Sequence, residues 1–126
     1  MTRHGKLSAG FIASVVAAGD GISPDRLSTR LHITKAELAS ALGLSRDAVS
    51  RVARHRSVAT QKRLREMTEI IDCAIPWSGS ELAAYAWYRS QTVPSFGDAT
   101  AEQLVREGYG EAVKTYLGRI AAGGFA

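Results

Sequence analysis

A chain of 126 residues with 45% apolar side chains suits one compact domain, or two small ones on a shared core, and excludes a disordered chain. Its longest apolar stretch, Phe11 to Ala18, is far shorter than the roughly 20 residues that a membrane-spanning helix needs. The net charge of +4 hides an asymmetry: residues 1–45 carry five basic and three acidic side chains, residues 46–65 seven and one, and residues 66–126 four and eight.

The periodicity is helical throughout, so the expected fold class is all-α. Ser8 to Ala18 reads as a first apolar helix, ended by Gly19-Asp20-Gly21. It is not expected to be a secretory signal. Arg3, His4 and Lys6 form only a thin positive region, and Asp20, Pro24 and Asp25 stand where a small-residue cleavage site belongs, which points to a cytoplasmic protein. Ser23-Pro24 opens a short helix ending near His32. Thr34, with Glu37 three residues on, forms a capping box for a helix that runs to Leu42 and stops at Gly43. Ser45 caps another, expected to end near His55.

A longer helix is expected from Thr60 to Ile75, closed by Pro76, and Ser78 or Ser80 starts the next, Glu81 to about Ser90. Gln91 to Gly97 has turn chemistry. Thr100 opens a short helix to Glu107, broken by Gly108 and Gly110, and a last helix sets Tyr109, Ala112, Val113, Tyr116, Leu117 and Ile120 on one stripe expected to be buried. Within these helices Trp77, Trp87 and the lone Cys73 read as core residues. A single cysteine permits neither an internal disulfide nor a cysteine-based zinc site.

Between Thr34 and Arg54 the residues meet the demands of a helix-turn-helix that sets its second helix in a DNA major groove. Leu38, Leu42, Leu44, Val49 and Val52 supply a small core, Ala39 permits close passage, Gly43 permits the turn and Ser45 caps the second helix. Ala48, Val49 and Val52 are expected to face inward, leaving Arg46, Asp47, Ser50, Arg51 and Arg54 to face outward. Arginines there can pair with guanine edges or phosphates, and Arg56, Lys62, Arg63 and Arg65 suit backbone contacts. The expected DNA-binding set is Ser45, Arg46, Asp47, Ser50, Arg51, Arg54, Arg56, Lys62 and Arg63. A solvated helical hairpin with a wet charged face is the plainer alternative. So small a module implies a dimer on a two-fold operator in double-stranded DNA.

His4, His32 and His55 are scattered, without the spacing of a metal site. No nucleophile–base pair, paired carboxylates or glycine-rich phosphate loop points to an enzyme, so neither metal, cofactor nor catalytic residue is expected.

The second half follows a further pattern: Gln61-Lys62-Arg63-Leu64, an apolar helix, Ala84 to Trp87 with Tyr88, a Pro94 to Gly97 loop, Glu102-Gln103-Leu104-Val105-Arg106-Glu107-Gly108, then Val113, Leu117, Ile120 and Gly123-Gly124-Phe125-Ala126. This resembles the Xre/MbcA/ParS antitoxins, over roughly residues 34–126 and most closely from Glu102 onward. Lys62 stands where many of those antitoxins carry a serine or an acidic residue, and the first 33 residues match no part of the pattern.

The expected organisation is N-terminal helices of unassigned role (1–33), which lie outside the resemblance, then a helix-turn-helix DNA-binding region (34–65) and, as the resemblance implies, a small helical toxin-binding domain (66–126). The resemblance implies an antitoxin that neutralises a RES-domain, NAD⁺-degrading toxin by direct contact, as a homodimer or a larger hetero-oligomer with the toxin, and represses its own operon. By position, Gly123, Gly124, Phe125 and Ala126 would plug the toxin's NAD⁺ pocket, supported by the region of Trp87 and Tyr88. The competing expectation is a stand-alone dimeric helix-turn-helix transcriptional regulator.

Overall fold

The computed structural model describes residues 10–17, 19 and 21–123. Residues 10–15 are helical (α1). They are followed by α2 (Pro24–Leu31), α3 (Lys35–Leu42), α4 (Arg46–Ser50), α5 (Val52–His55), α6 (Val58–Ser78), α7 (Glu81–Ser90), α8 (Ala101–Arg106) and α9 (Gly110–Gly123). Apart from the isolated bridges Val16–Ile22 and Thr92–Thr100, every regular element among the described residues is a helix. The fold is all-α.

Local chemistry sets most helix starts. Ser23, Ser45, Ser57 and Ser80 each accept a backbone N–H of the first turn they open. Thr34 with Glu37 and Thr100 with Gln103 form reciprocal capping boxes. Gly43 ends α3 in the left-handed region at φ 69°, which a residue without a Cβ adopts at no steric cost.

The helix α6 is the axis of the molecule and packs against α3, α5, α7, α8 and α9. Thr60, Leu64, Met67, Ile71 and Ala74, spaced four and three apart, form its buried stripe. One core runs around it from Phe11, Val15, Ile22 and Leu27, through Leu38, Leu42 and Val49, to Tyr88, Val105, Val113 and Leu117. Full burial of each such leucine or isoleucine contributes about 1.5–3 kcal/mol. The division expected between residues 65 and 66 falls inside α6, and the residues before 34 share the same core.

Several expectations need correction. The first helix ends before Val16, not at Ala18, because Val16 pairs with Ile22 and the Ala17 N–H donates to the Gly21 carbonyl at 2.7 Å. The helix expected from Ser45 to His55 is two helices, broken at Arg51, whose φ of −91° and ψ of 127° are extended. Asp47, Val49, Ser50 and Val52 are all weak helix formers, so little intrinsic preference resists the break. Helical register restarts after it, and Val52 is turned away from the face of Val49 to stand 63% exposed.

Pro76 lies inside α6 rather than closing it. It forfeits one helical N–H, but the Ser78 hydroxyl donates to the Ala74 carbonyl at 2.6 Å and Gly79, at φ 102°, ends the helix. Cys73 and Trp77, four residues apart, lie on the outer side of α6, and both are exposed, Trp77 by 55%. The Trp77 ring meets Trp87 edge-on, with centroids 5.1 Å apart, and Trp87 is half-buried against the core. Of the last helix's expected stripe, Val113 and Leu117 are buried and Tyr116 half-buried. Tyr109, Ala112 and Ile120 are exposed because α9 packs on one narrow side, against α6 and α8.

Candidate nucleic-acid interface

Between α3 and α4 the chain turns at Gly43, and the Leu44 N–H donates back to the Ala39 carbonyl at 2.9 Å. The turn is crowded from outside: a Cβ on Gly43 would stand 3.1 Å from Arg106 Cβ and 3.2 Å from Arg63 Nη1. Ser45 then receives the Ala48 N–H at 3.2 Å, and buried Val49 fixes α4 on the core. With that face down, Arg46, Asp47 and Ser50 stand exposed on α4, followed by exposed Arg51, Arg54 and Arg56. The structure thus brings seven of the nine expected DNA-binding residues, Ser45 to Arg56, onto one exposed stretch.

These side chains differ in their engagements. Arg51 lies 3.7 Å from the Asp47 carboxylate, an ion pair with both partners well exposed. Arg46, Arg54 and Arg56 make no ion pair or side-chain hydrogen bond among the described residues. Three exposed cations of this kind are available to phosphates.

Lys62 and Arg63 belong to a different arrangement. Lys62 pairs with the carboxylate of Glu66, which is only 1% exposed. Arg63 donates from Nη1 to the Leu42 carbonyl at 2.7 Å, placing its cation at the C-terminal end of α3, where the helix dipole favours it. Lys62 is thus engaged within α6, and Arg63 ties α6 to α3.

Sequence reasoning missed Gln61. Its Oε1 accepts the Ile22 N–H at 2.8 Å, and its Nε2 donates to the Ile22 carbonyl at 3.0 Å and to the His55 carbonyl at 2.7 Å. No local pattern signals this, since every partner is main chain and one lies 39 residues away.

Comparison with known proteins returns nothing: no family model, curated protein or solved structure matches the chain.

Of the residues expected to meet a toxin, Trp87 is half-buried on α7, and Gly123 is exposed as the last residue of α9. Tyr88 has no exposed surface, which removes it as a direct contact; burial pushes its hydroxyl well above its ordinary pKa. Gly124, Phe125 and Ala126 lie outside the described residues. The acidic character of this half gathers partly on one side of α6 and α9. There Lys114 pairs with Glu69 and with Glu111, and burial followed by the charge of Glu69 raises the Asp72 carboxyl to about 6. Among the described residues no group of histidine, cysteine, aspartate and glutamate could hold a metal ion, and no helix is long and apolar enough to cross a membrane.

Proposed function

We propose that this chain is a DNA-binding antitoxin of the Xre/MbcA/ParS type, in which α3, Gly43 and α4 act as a helix-turn-helix. The observation that carries the DNA half is the set of exposed arginines, Arg46, Arg54 and Arg56, without a partner among the described residues and beside a helix capped by Ser45 and anchored by Val49. On this reading α4 enters the major groove of an operator, Ser50 and Arg46 reach base edges or phosphates, and Arg54 and Arg56 neutralise the backbone alongside. The Asp47–Arg51 pair opens or persists according to what Arg51 meets, so Arg51 adds to the contact only by leaving Asp47.

The antitoxin half rests on the sequence resemblance. The region from Trp87 to the residues after Gly123 engages a RES-domain, NAD⁺-degrading toxin, with Gly124, Phe125 and Ala126 directed at its NAD⁺ pocket. A two-fold operator would be read by a dimer of this chain, alone or with the toxin bound.

Co-expression with the product of the neighbouring gene tests both halves. A variant with Arg46, Arg54 and Arg56 all changed to alanine should still protect cells from the toxin but lose repression of the operon. Deleting Phe125 and Ala126 should do the reverse. Failure of the unaltered chain to protect against any RES-domain product would leave a stand-alone regulator, and failure to bind duplex DNA would remove the regulator as well.

A further inference from the structure

We propose that Gln61 is a positioning residue for the DNA-contacting segment, and that through it the N-terminal Val16–Ile22 bridge becomes part of the DNA-binding machinery; this rests on reading Arg46, Arg54 and Arg56 as DNA contacts. The need for such a residue follows from α5 itself. It has four residues, no side-chain cap at its start, and an outward-turned Val52 as its first residue. A helix that short does not hold its own direction, because nucleation is unfavourable and its few hydrogen bonds do not compensate. Yet Arg54 lies within it and Arg56 directly after it.

Gln61 supplies the restraint. Its backbone is fixed in the first turns of α6, where its N–H donates to the Ser57 carbonyl at 2.9 Å. Its side chain is gripped from the other side by Ile22, a buried residue held by its bridge to Val16, with the next N–H, of Ser23, donating to the Val15 carbonyl at 2.8 Å. Gly21 lets the amide come this close, since a Cβ there would stand 3.2 Å from Gln61 Oε1. The remaining amide hydrogen points to the carbonyl of His55, the last residue of α5 and the one between Arg54 and Arg56. Both Nε2 hydrogens and the Oε1 acceptor are thereby used on three main-chain groups. Glutamate at this position keeps the acceptor and loses both donations; methionine loses all three. All three side chains suit a helix equally well.

The test compares the full chain with Gln61→Met, Gln61→Glu, Arg54→Ala and a core control remote from the segment, Leu117→Ala. Affinity for a duplex from the region upstream of its own gene is followed by fluorescence anisotropy across a salt series, with backbone amide exchange measured alongside. If release of His55 leaves the competent arrangement in about a tenth of the molecules, apparent affinity falls about tenfold. Gln61→Met should show that loss with an unchanged salt slope, because the phosphates contacted are the same, whereas Arg54→Ala should flatten the slope by roughly 0.9. Amide exchange at Arg54 to Ser57 should quicken in both Gln61 variants and that at Ile22 in Gln61→Met, which alone loses the acceptor of the Ile22 N–H, and neither should quicken in Leu117→Ala. Should Gln61→Met be too unstable to study, Gln61→Glu carries the same comparison.

Wild-type chain that binds no duplex overturns the DNA reading and the proposal with it. Wild-type binding with unaltered affinity in both Gln61 variants overturns the proposal alone. So does a flattened slope in Gln61→Met, which makes Gln61 a contact, or an equal affinity loss in Leu117→Ala, which makes the effect one of global stability.

Discussion

Adding one methyl group at Gly110 should destabilise the fold, although glycine-to-alanine changes in helices commonly do the opposite. Gly110 is the buried first residue of α9, and its backbone conformation there is not left-handed, so alanine meets no φ penalty. The obstacle is Glu66. An added Cβ would come within 2.6 Å of the Glu66 Cδ and 3.0 Å of its Cβ, with Oε1 closer still. The carboxylate is buried and paired with Lys62, and it rests against the N-terminal end of α9, where a negative charge is favoured. Retreat of the carboxylate tip alone does not clear the contact with Cβ.

Overpacking of this kind costs about 1–3 kcal/mol, and the reduced freedom of the unfolded chain returns about 0.4–1, leaving a net loss of roughly 1–2 kcal/mol. For a domain of this size that is a fall in Tm of roughly 3–10 °C, readable by thermal or urea unfolding. The cause can be isolated by repeating the change in a Glu66→Ala background, where the obstructing carboxylate is gone and Lys62 returns to water. There only the 3.0 Å approach to the Cβ of residue 66 remains, so Gly110→Ala should cost clearly less than in the wild-type chain, giving a coupling between the two sites. An equal cost in both backgrounds, or a wild-type Tm in the single variant, would refute the close approach of Glu66 as the reason for this glycine.

Three further outcomes are expected. Asp72, raised to about 6 by burial and then by Glu69, binds its proton more readily folded than unfolded, so its favourable contribution is complete below about pH 4 and is lost as pH rises through about 6. Asp72→Asn should therefore raise Tm at pH 7.5 relative to wild type, with the gain disappearing in acid; a gain independent of pH would contradict this. Cys73, although exposed, has its thiol pKa raised by partial burial and then by Asp72 and Glu69, so iodoacetamide should alkylate it more slowly at pH 7.5 than a free cysteine, and Asp72→Asn should speed the reaction. With Arg46, Arg54 and Arg56 as the phosphate contacts, the logarithm of the DNA binding constant should fall against that of salt concentration with a slope of about −2.7 per subunit. Lys62→Ala, which removes a cation paired with Glu66, should leave that slope unchanged.

Much of the helix pattern was legible because caps are local. Ser23, Thr34 with Glu37, Ser45, Ser80 and Thr100 with Gln103 each accept from an N–H three residues ahead, so a window of four residues contains the whole cause. What could not be read depends on distant partners. The break at Arg51 has no glycine or proline to announce it, and the His55 carbonyl that follows it is engaged from α6. Pro76 ordinarily ends a helix, yet here the Ser78 hydroxyl and the packing of Trp77 on Trp87 accompany a helix that runs past it to end at Gly79. Lys62 and Arg63 belonged by composition to the basic block, but buried Glu66 and the end of α3 claim them. The exposed face of α4, with Arg46, Asp47 and Ser50, was legible by contrast, because one anchored valine and one capping serine suffice to orient that helix.

The continuous run of α6 from Val58 to Ser78 makes a rod about 31 Å long at the usual rise per residue. One end adjoins the arginine-bearing segment and the other leads into α7 and Trp87. With no linker between them, the two ends cannot swing independently, and a cut near residue 65 would divide a single helix and its core instead of releasing two working fragments. Any two macromolecules engaged at opposite ends must accept the spacing and angle that this rod imposes, so the geometry of such an assembly is already written into the free chain.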